Sequence, residues 1–463
     1  MTDSGLVIER SRAVPLSGTR PVRRTAAAAL LLAVVAGNAA VIVWLWLHGG
    51  NVTDVHSTGD VLTSLARITG LLAAYSALLQ VLLLARLPLL EPLVGFDRLT
   101  VWHRWNGHAC LYLVLGHVVL SVWGYALLDR ISLPSEVSTM LGGGVYPGMI
   151  TATVGTGLLI AVVVSSVVIV RRRLRYEAWY AVHLAAYAGI ALAWFHQIPT
   201  GNELVLDRIA ADYWRALYVA TLLLLIGFRV VAPVVDGFRY RLRVTDVVHE
   251  GPGVVSLRIA GRGLHRLQAR AGQFFLWRFL ARGRWWASHP FSISEAPRGD
   301  SLRITVKALG DFTSRIGEIQ PGTRVVAEGP FGAFTDAVRR RDRAVVLIAG
   351  GIGITPIRSL IEEMHGDVIV LYRVVRDEDV IFRDELERIA AERRIAVHFL
   401  VGDHTTAEGS RLLSPDHLRD LVPDIAERDV YVCGPPAMTD AIERNVRASG
   451  VSRPSIHVER FVL

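Results

Sequence analysis

The sequence predicts a multi-domain membrane protein in three parts: a six-helix transmembrane bundle, an antiparallel β-barrel and an α/β doubly wound domain. Three observations predict it. The chain has 463 residues, of which 52% are hydrophobic and 20% charged, and its mean hydropathy of +0.38 is too high for a soluble enzyme of this length. Before residue 236 the apolar residues fall in six runs, each near the ~20 residues that cross a bilayer. Beyond it the texture changes to short β-rich runs, then to buried-type strands alternating with helical stretches.

Residues 1–25 are polar, with Arg10, Arg12, Arg20, Arg23 and Arg24, and read as a disordered cytoplasmic tail. The run from Thr25 to Leu47 is too long for a signal-peptide core and reads as a retained helix. Spans at about 61–85, 105–128, 148–170, 178–196 and 213–235 complete a transmembrane domain over 26–236. Loops 48–60, 129–147 and 197–212 carry no basic residue, Arg130 and Arg208 respectively. The opposite side holds the tail arginines, then Arg86, Arg98 and Arg104, then Arg171, Arg172, Arg173 and Arg175. The positive-inside rule therefore places both termini in the cytoplasm, and the plasma membrane is the expected location. Residues 237–338 (RLRVTDVV, GVVSLRIA, GQFFLW, SLRITVKA, TRVVAEG) form the barrel, and 339–463 (AVVLIAG, DVIVLYRV, IAVHFLVG, RDVYVCG) the parallel sheet.

The net charge of +8 does not imply nucleic acid, because the arginines cluster beside the apolar spans. Lipid is the expected partner, and no obligate protein partner is evident. Two cysteines, Cys110 in a span and Cys433 in the last domain, cannot hold a thiolate cluster.

Ionisable residues inside a bilayer are costly and tend to be functional. The third span carries His103, His108 and His117, and the fifth His183 and His196. Fourteen residues separate His103 from His117, a rise of ~21 Å within ~40° of whole turns. Topology then pairs His103 with His183 toward the cytoplasm and His117 with His196 toward the outside. Paired neutral imidazoles at one depth suit a six-coordinate haem iron, which has no free site and so passes electrons outward. The 13-residue spacing of His183 and His196 is ~140° out of phase and requires a bulge, a kink or a frayed end. His108 faces elsewhere as a hydrogen-bonded bundle residue. Arg67, inside the outer end of the second span, is a candidate partner for haem propionates or an anionic acceptor, or else a snorkelling arginine.

The soluble half carries four motifs. His289-Pro290-Phe291-Ser292 ends a barrel strand. KALGDFT, Lys307 to Thr313, is a turn expected to open a helix whose amides cradle a pyrophosphate. AGGIGITPI, Ala349 to Ile357, follows a strand and precedes a helix, which suits phosphate binding, although it is not the GxGxxG fingerprint. CGPPAM, Cys433 to Met438, ends a later strand and belongs at the same crevice.

Barrel, HPFS, GGIGITP and CGPPAM in this order resemble the ferredoxin–NADP reductase superfamily. Joined to a six-helix, four-histidine half, they resemble the ferric reductase/NADPH oxidase family of transmembrane flavocytochromes b. The resemblance implies FAD, two b-type haems and NADPH (or NADH). It places His289, Pro290, Phe291 and Ser292 at the flavin, and Lys307, Gly310, Phe312 and Thr313 near its pyrophosphate. Gly350, Gly351, Gly353, Thr355 and Pro356 would bind the nucleotide, and Cys433, Gly434 and Pro435 would lie near the nicotinamide. Phe461 resembles the aromatic that covers the flavin, and Arg67 the arginine near the outer haem. Arg373 or Arg376 could pair with a 2′-phosphate. Where superoxide-forming oxidases carry a second histidine one turn after the outer-haem ligand, this chain has Ser121. The expected activity is NAD(P)H-dependent electron transfer to an external small molecule, with a ferric chelate first and O2 second. The rivals are donation to a membrane or periplasmic protein, and a histidine-containing transport or scaffold module without electron transfer.

Overall fold

The computed structural model describes residues 21–460, apart from 89, 91–93, 143, 168–175 and 341–342. Most of the expected tail, the arginine cluster at 171–175 and Phe461 therefore lie outside the described residues. Six helices among the described residues are long and apolar enough to cross a membrane. They are α1 (Pro21–His48), α2 (Thr58–Leu83), α3 (Phe96–Asp129), α4 (Met149–Ser166), α5 (Tyr176–Thr200) and α6 (Arg208–Ile226). A π-turn (Gly227–Val231) and a further helix (Ala232–Tyr240) continue α6.

Two boundaries differ from the expected spans. Helix α1 is already helical at Pro21, the first described residue, inside the segment read as tail. Helix α3 begins at Phe96 instead of 105, since Arg98, His103 and Arg104 lower the hydropathy of a turn that is nevertheless helical. The extension puts His103 inside the helix. Ser57 caps α2, accepting from the Asp60 amide at 3.2 Å while Asp60 accepts from the Ser57 amide at 2.8 Å. Helices α4 and α5 approach closely at Gly155, where a Cβ would lie 2.7 Å from the Gly189 carbonyl oxygen.

The soluble half starts with β1 (Arg243–Gly251), β2 (Val254–Ala260), β3 (Phe274–Phe279), β4 (His289–Ser292), β5 (Ser301–Lys307) and β6 (Val325–Phe331). β2 pairs antiparallel with both β1 and β5, and β3 pairs antiparallel with β4. An isolated bridge, Ile293 to Ile304, links the end of β4 to β5. A one-turn helix α7 (Asp311–Ser314) follows β5.

The last domain is a five-stranded parallel sheet of β7 (Val345–Gly350), β8 (Val368–Val374), β9 (Ala396–Val401), β10 (Asp429–Gly434) and β11 (Ile456–Arg460), in the order β11-β10-β7-β8-β9. Helices α8 (Ile354–Glu363), α9 (Arg383–Arg393) and α10 (Pro436–Ala448) flank it. The two-residue period divides β7 between two cores. Val345, Leu347 and Ala349 pack with Ile354, Ile357 and Leu360, whereas Val346 and Ile348 pack with Leu418, Ile442 and Val446. The chain leaves β7 for β8 on one side, while β10 lies on the other. The carboxyl ends of β7 and β10 therefore flank the crevice where such sheets bind ligands.

Candidate functional site

In the helical half, α3 and α5 bring four histidines into two facing pairs. The ring centroids of His103 and His183 are 6.1 Å apart, and those of His117 and His196 are 6.3 Å apart. Two metal–imidazole bonds of about 2 Å plus two ring half-widths span about 6 Å, so each pair fits one six-coordinate iron between its rings. The protonation pattern fits as well. His103 Nδ1 donates to the Gln80 carbonyl at 3.0 Å, and His117 Nδ1 to the Ala66 carbonyl at 2.8 Å. A neutral imidazole that donates through Nδ1 presents Nε2 as the ligand nitrogen. His183 Nδ1 lies 3.4 Å from the Ser166 hydroxyl.

The 13-residue spacing is met without a break. Helix α5 is helical through Thr200, and His196 reaches across from its last turn, which Pro199 loosens by leaving the Phe195 carbonyl without its usual donor. The Thr200 hydroxyl bonds to the His196 carbonyl there. His108 donates to its own helix, Nδ1 to the Arg104 carbonyl at 2.8 Å, and takes no part in either pair.

Two features around the pairs were not read from the sequence. Gly70 on α2 backs the outer pair, where a Cβ would stand 2.7 Å from His117 Nδ1. Behind the inner pair, Asn106 Nδ2 donates to Gln80 Oε1 at 2.7 Å and to the Ser76 carbonyl at 2.8 Å, bracing the residue whose carbonyl holds His103. Amides within apolar spans were the available signal. Arg67 donates through Nη1 to Asn51 Oδ1 at 2.9 Å. It follows Ala66, the acceptor for His117, in the sequence of α2.

In the flavin segment, β4 pairs His289 with Trp277 and Phe291 with Phe275. His289 stacks on Phe312, at 3.7 Å between centroids and 16° between planes, and lies nearly parallel to Phe291 at 6.2 Å. Trp277 Nε1 donates to the Phe291 carbonyl at 3.0 Å, and Ser292 is buried while Pro290 is exposed. The turn after β5 does open a helix, α7, of only four residues with Gly310 as its N-cap. Thr313 Oγ1 accepts from the amides of both Leu309 and Gly310 at 2.9 Å, which fixes the turn that leads into it. Lys307 Nζ pairs with Asp379 Oδ1 at 3.7 Å.

In the nucleotide segment, the loop after β7 and the end of β10 touch backbone to backbone. A Cβ on Gly353 would lie 2.2 Å from the Cys433 carbonyl oxygen, and one on Gly434 3.2 Å from Gly350 Cα. Thr355 and Pro356 are buried in the first turn of α8, with the Thr355 hydroxyl donating to the Ile352 carbonyl at 3.0 Å. Pro435 caps α10. Cys433 is fully buried, and burial pushes its thiol well above the ordinary range, so it is no nucleophile. Arg373 Nη1 donates to the carbonyls of Val374 at 2.6 Å and Leu400 at 3.2 Å, and its Nη2 to that of Gly409 at 3.2 Å. Arg376 is exposed and already paired with Glu378 at 2.6 Å and Asp379 at 3.3 Å.

Comparison with known proteins finds three matches along the chain. Residues 69–194 match the ferric reductase like transmembrane component, 240–335 an FAD-binding domain, and 347–444 an oxidoreductase NAD-binding domain. The toluate 1,2-dioxygenase electron transfer component of Pseudomonas putida is 24% identical over 48% of this chain and 67% of its own length. The ferredoxin reductase component of 3-ketosteroid-9-alpha-monooxygenase from Mycolicibacterium smegmatis is 30% identical over 48% and 65%. NADH oxidoreductase HCR of Escherichia coli is 28% identical over 46% and 66%. The chain thus spans about two thirds of the length of these relatives.

Proposed function

We propose that this chain, a transmembrane oxidoreductase with the domain order of the ferric reductase/NADPH oxidase family, carries electrons from NAD(P)H through FAD and two b-type haems to an acceptor across the membrane. The observation that carries the reading is the pair of histidine couples, with centroid separations of 6.1 and 6.3 Å on the same two helices. When bound, flavin and haem supply the exchange between two-electron and one-electron chemistry.

The chain's own residues bind and orient. His103 and His183 would hold the inner iron, and His117 and His196 the outer. The Gln80 and Ala66 carbonyls fix the tautomer and plane of the α3 ligands. Arg67, which follows Ala66 on α2, would pair with propionates or attract an anionic acceptor. His289, Phe291 and Phe312 offer an aromatic stack beside which a flavin can lie. The glycines after β7 let a dinucleotide approach the sheet's switch point. Two imidazoles per iron leave no open coordination site, which favours an acceptor reduced at the haem edge, and a ferric chelate is the leading candidate. The basic residues flanking the spans favour cytoplasmic termini.

Purified full-length protein, made with ample haem, should show a b-type spectrum that NAD(P)H reduces under anaerobic conditions. It should then reduce a ferric chelate at a rate insensitive to superoxide dismutase. A colourless preparation would sink the haem assignment. Consumption of O2 without chelate reduction would reassign the acceptor.

A further inference from the structure

The strand β5, the segment just beyond the flavin motif and the helix that follows the nucleotide loop are tied by a buried charge cluster. Arg303 on β5 and Arg358 on α8 are each 3% exposed. Glu385, in the first turn of α9, accepts from both terminal nitrogens of Arg303 at 2.9 Å and from Arg358 Nε at 2.7 Å. Both guanidiniums also donate to a single carbonyl, that of Ser294, at 3.2 and 3.0 Å. Ser294 stands two residues beyond Ser292 of the flavin motif, and Arg358 lies one turn into the helix that opens from the glycine loop. Arg358 further meets Glu362 at 3.0 Å, whose Oε2 accepts from the Ala296 amide at 2.7 Å. Phe382 turns back at φ 62°, and its ring lies 4.8 Å from the Arg303 guanidinium carbon and 6.0 Å from that of Arg358.

Two buried cations converging on one carbonyl would repel each other without an anion between them. A bidentate carboxylate fixes orientation as well as distance, which a surface pair does not. The cluster thus joins the segment just beyond the flavin motif to the helix just beyond the glycine loop. We propose that Glu385 is a positioning residue for hydride transfer: by clamping Arg303 and Arg358 on the Ser294 carbonyl, it sets the separation between the flavin strand β4 and the nucleotide loop after β7. The proposal rests on the reading that NAD(P)H reduces a bound flavin in this chain.

The test uses the full-length, FAD-saturated protein, mixed anaerobically with NADH or NADPH over a range of concentrations while flavin bleaching is followed. Glu385→Gln keeps the shape but removes the charge, Glu385→Asp keeps the charge but shortens the reach, and Arg303→Lys keeps the charge but loses the fork. The limiting rate of flavin reduction should fall about tenfold or more in E385Q, since displacements near 1 Å cost rates on that scale. The half-saturating nucleotide concentration should stay within about threefold of wild type, because Glu385 acts through the two arginines. Nicotinamide–flavin charge-transfer absorbance should weaken, and E385D should recover part of the rate. A limiting rate that falls only in proportion to lost FAD or to unfolded protein, or that does not change, overturns the proposal. If E385Q does not fold, the same readings on E385D and R303K decide it. Failure of the wild-type flavin to bleach would instead overturn the parent reading.

Discussion

Gly70→Ala tests the outer couple through a single methyl group. The added Cβ would stand 2.7 Å from His117 Nδ1, 2.9 Å from Cε1 and 3.2 Å from Cγ. Ordinary contact needs about 3.5 Å, so the ring must retreat by somewhat under 1 Å. His117 Nδ1 donates to the Ala66 carbonyl at 2.8 Å, and a retreat of that size takes the bond out of range. Overpacking costs about 1–3 kcal/mol, and a lost supporting hydrogen bond lowers metal affinity by about 10–100-fold. On the proposed reading, the expected result is a protein with its inner haem intact and its outer haem substoichiometric or shifted in midpoint potential. Haem per polypeptide, with a spectroscopic redox titration, measures both. Gly116→Ala, beside His117 on the same helix and with nothing within 4 Å of the added carbon, is the control. Two full haems with wild-type potentials in G70A would refute the inference that Gly70 seats His117.

Three further outcomes follow from the soluble half. Gly353→Ala places a carbon 2.2 Å from the Cys433 carbonyl oxygen and should abolish flavin reduction by NAD(P)H while dithionite still reduces the haems. Wild-type reduction kinetics in G353A would contradict the tight crossing. Arg373→Ala should destabilise the last domain by about 1–3 kcal/mol, by leaving carbonyls without donors, yet leave the ratio of NADPH to NADH activity unchanged. A selective loss of NADPH activity would instead assign Arg373 to the 2′-phosphate. Burial opposes ionisation of Glu385, but the Arg303 and Arg358 guanidiniums outweigh it and hold the carboxyl at about 2, against an ordinary 4.5. A depressed acid contributes its stability above its unfolded-state value and loses it as pH falls through the folded one. The contribution, on the order of 3 kcal/mol, should therefore vanish between about pH 4.5 and pH 2, and E385Q should flatten the melting profile over that window. An equal slope in both proteins would show that the carboxylate is not coupled to folding.

Each boundary that shifted did so for a local reason. The beginning of α3 was hidden because Arg98, His103 and Arg104 look unlike membrane, although their backbone continues the helix. The turn at Gly310 was legible because glycine followed by aspartate suits a helix start, but the hydroxyl of Thr313 folding back on the Leu309 and Gly310 amides came only with the fold. The charge of Arg373 was legible in the sequence, whereas its bonds to the Leu400 and Gly409 carbonyls came only with the fold.

The sequence by itself determined what periodicity, hydropathy and spacing can encode. These are six membrane-length helices, the change to β structure after residue 236, and the glycine loop ahead of a helix. They also include a 14-residue pair of histidines on one span and a 13-residue pair on another, at separations that match in depth. Such features arise from neighbours along the chain, so they survive without knowledge of the fold. Only the tertiary structure decided which groups meet across long loops: Ala66 with His117, 51 residues apart, and Arg303 with Glu385, 82 apart. The physical reason is that hydrogen bonds, steric fit and burial depend on distances of a few ångströms. Packing sets those distances, while the linear pattern specifies only which chemistry is available to be packed.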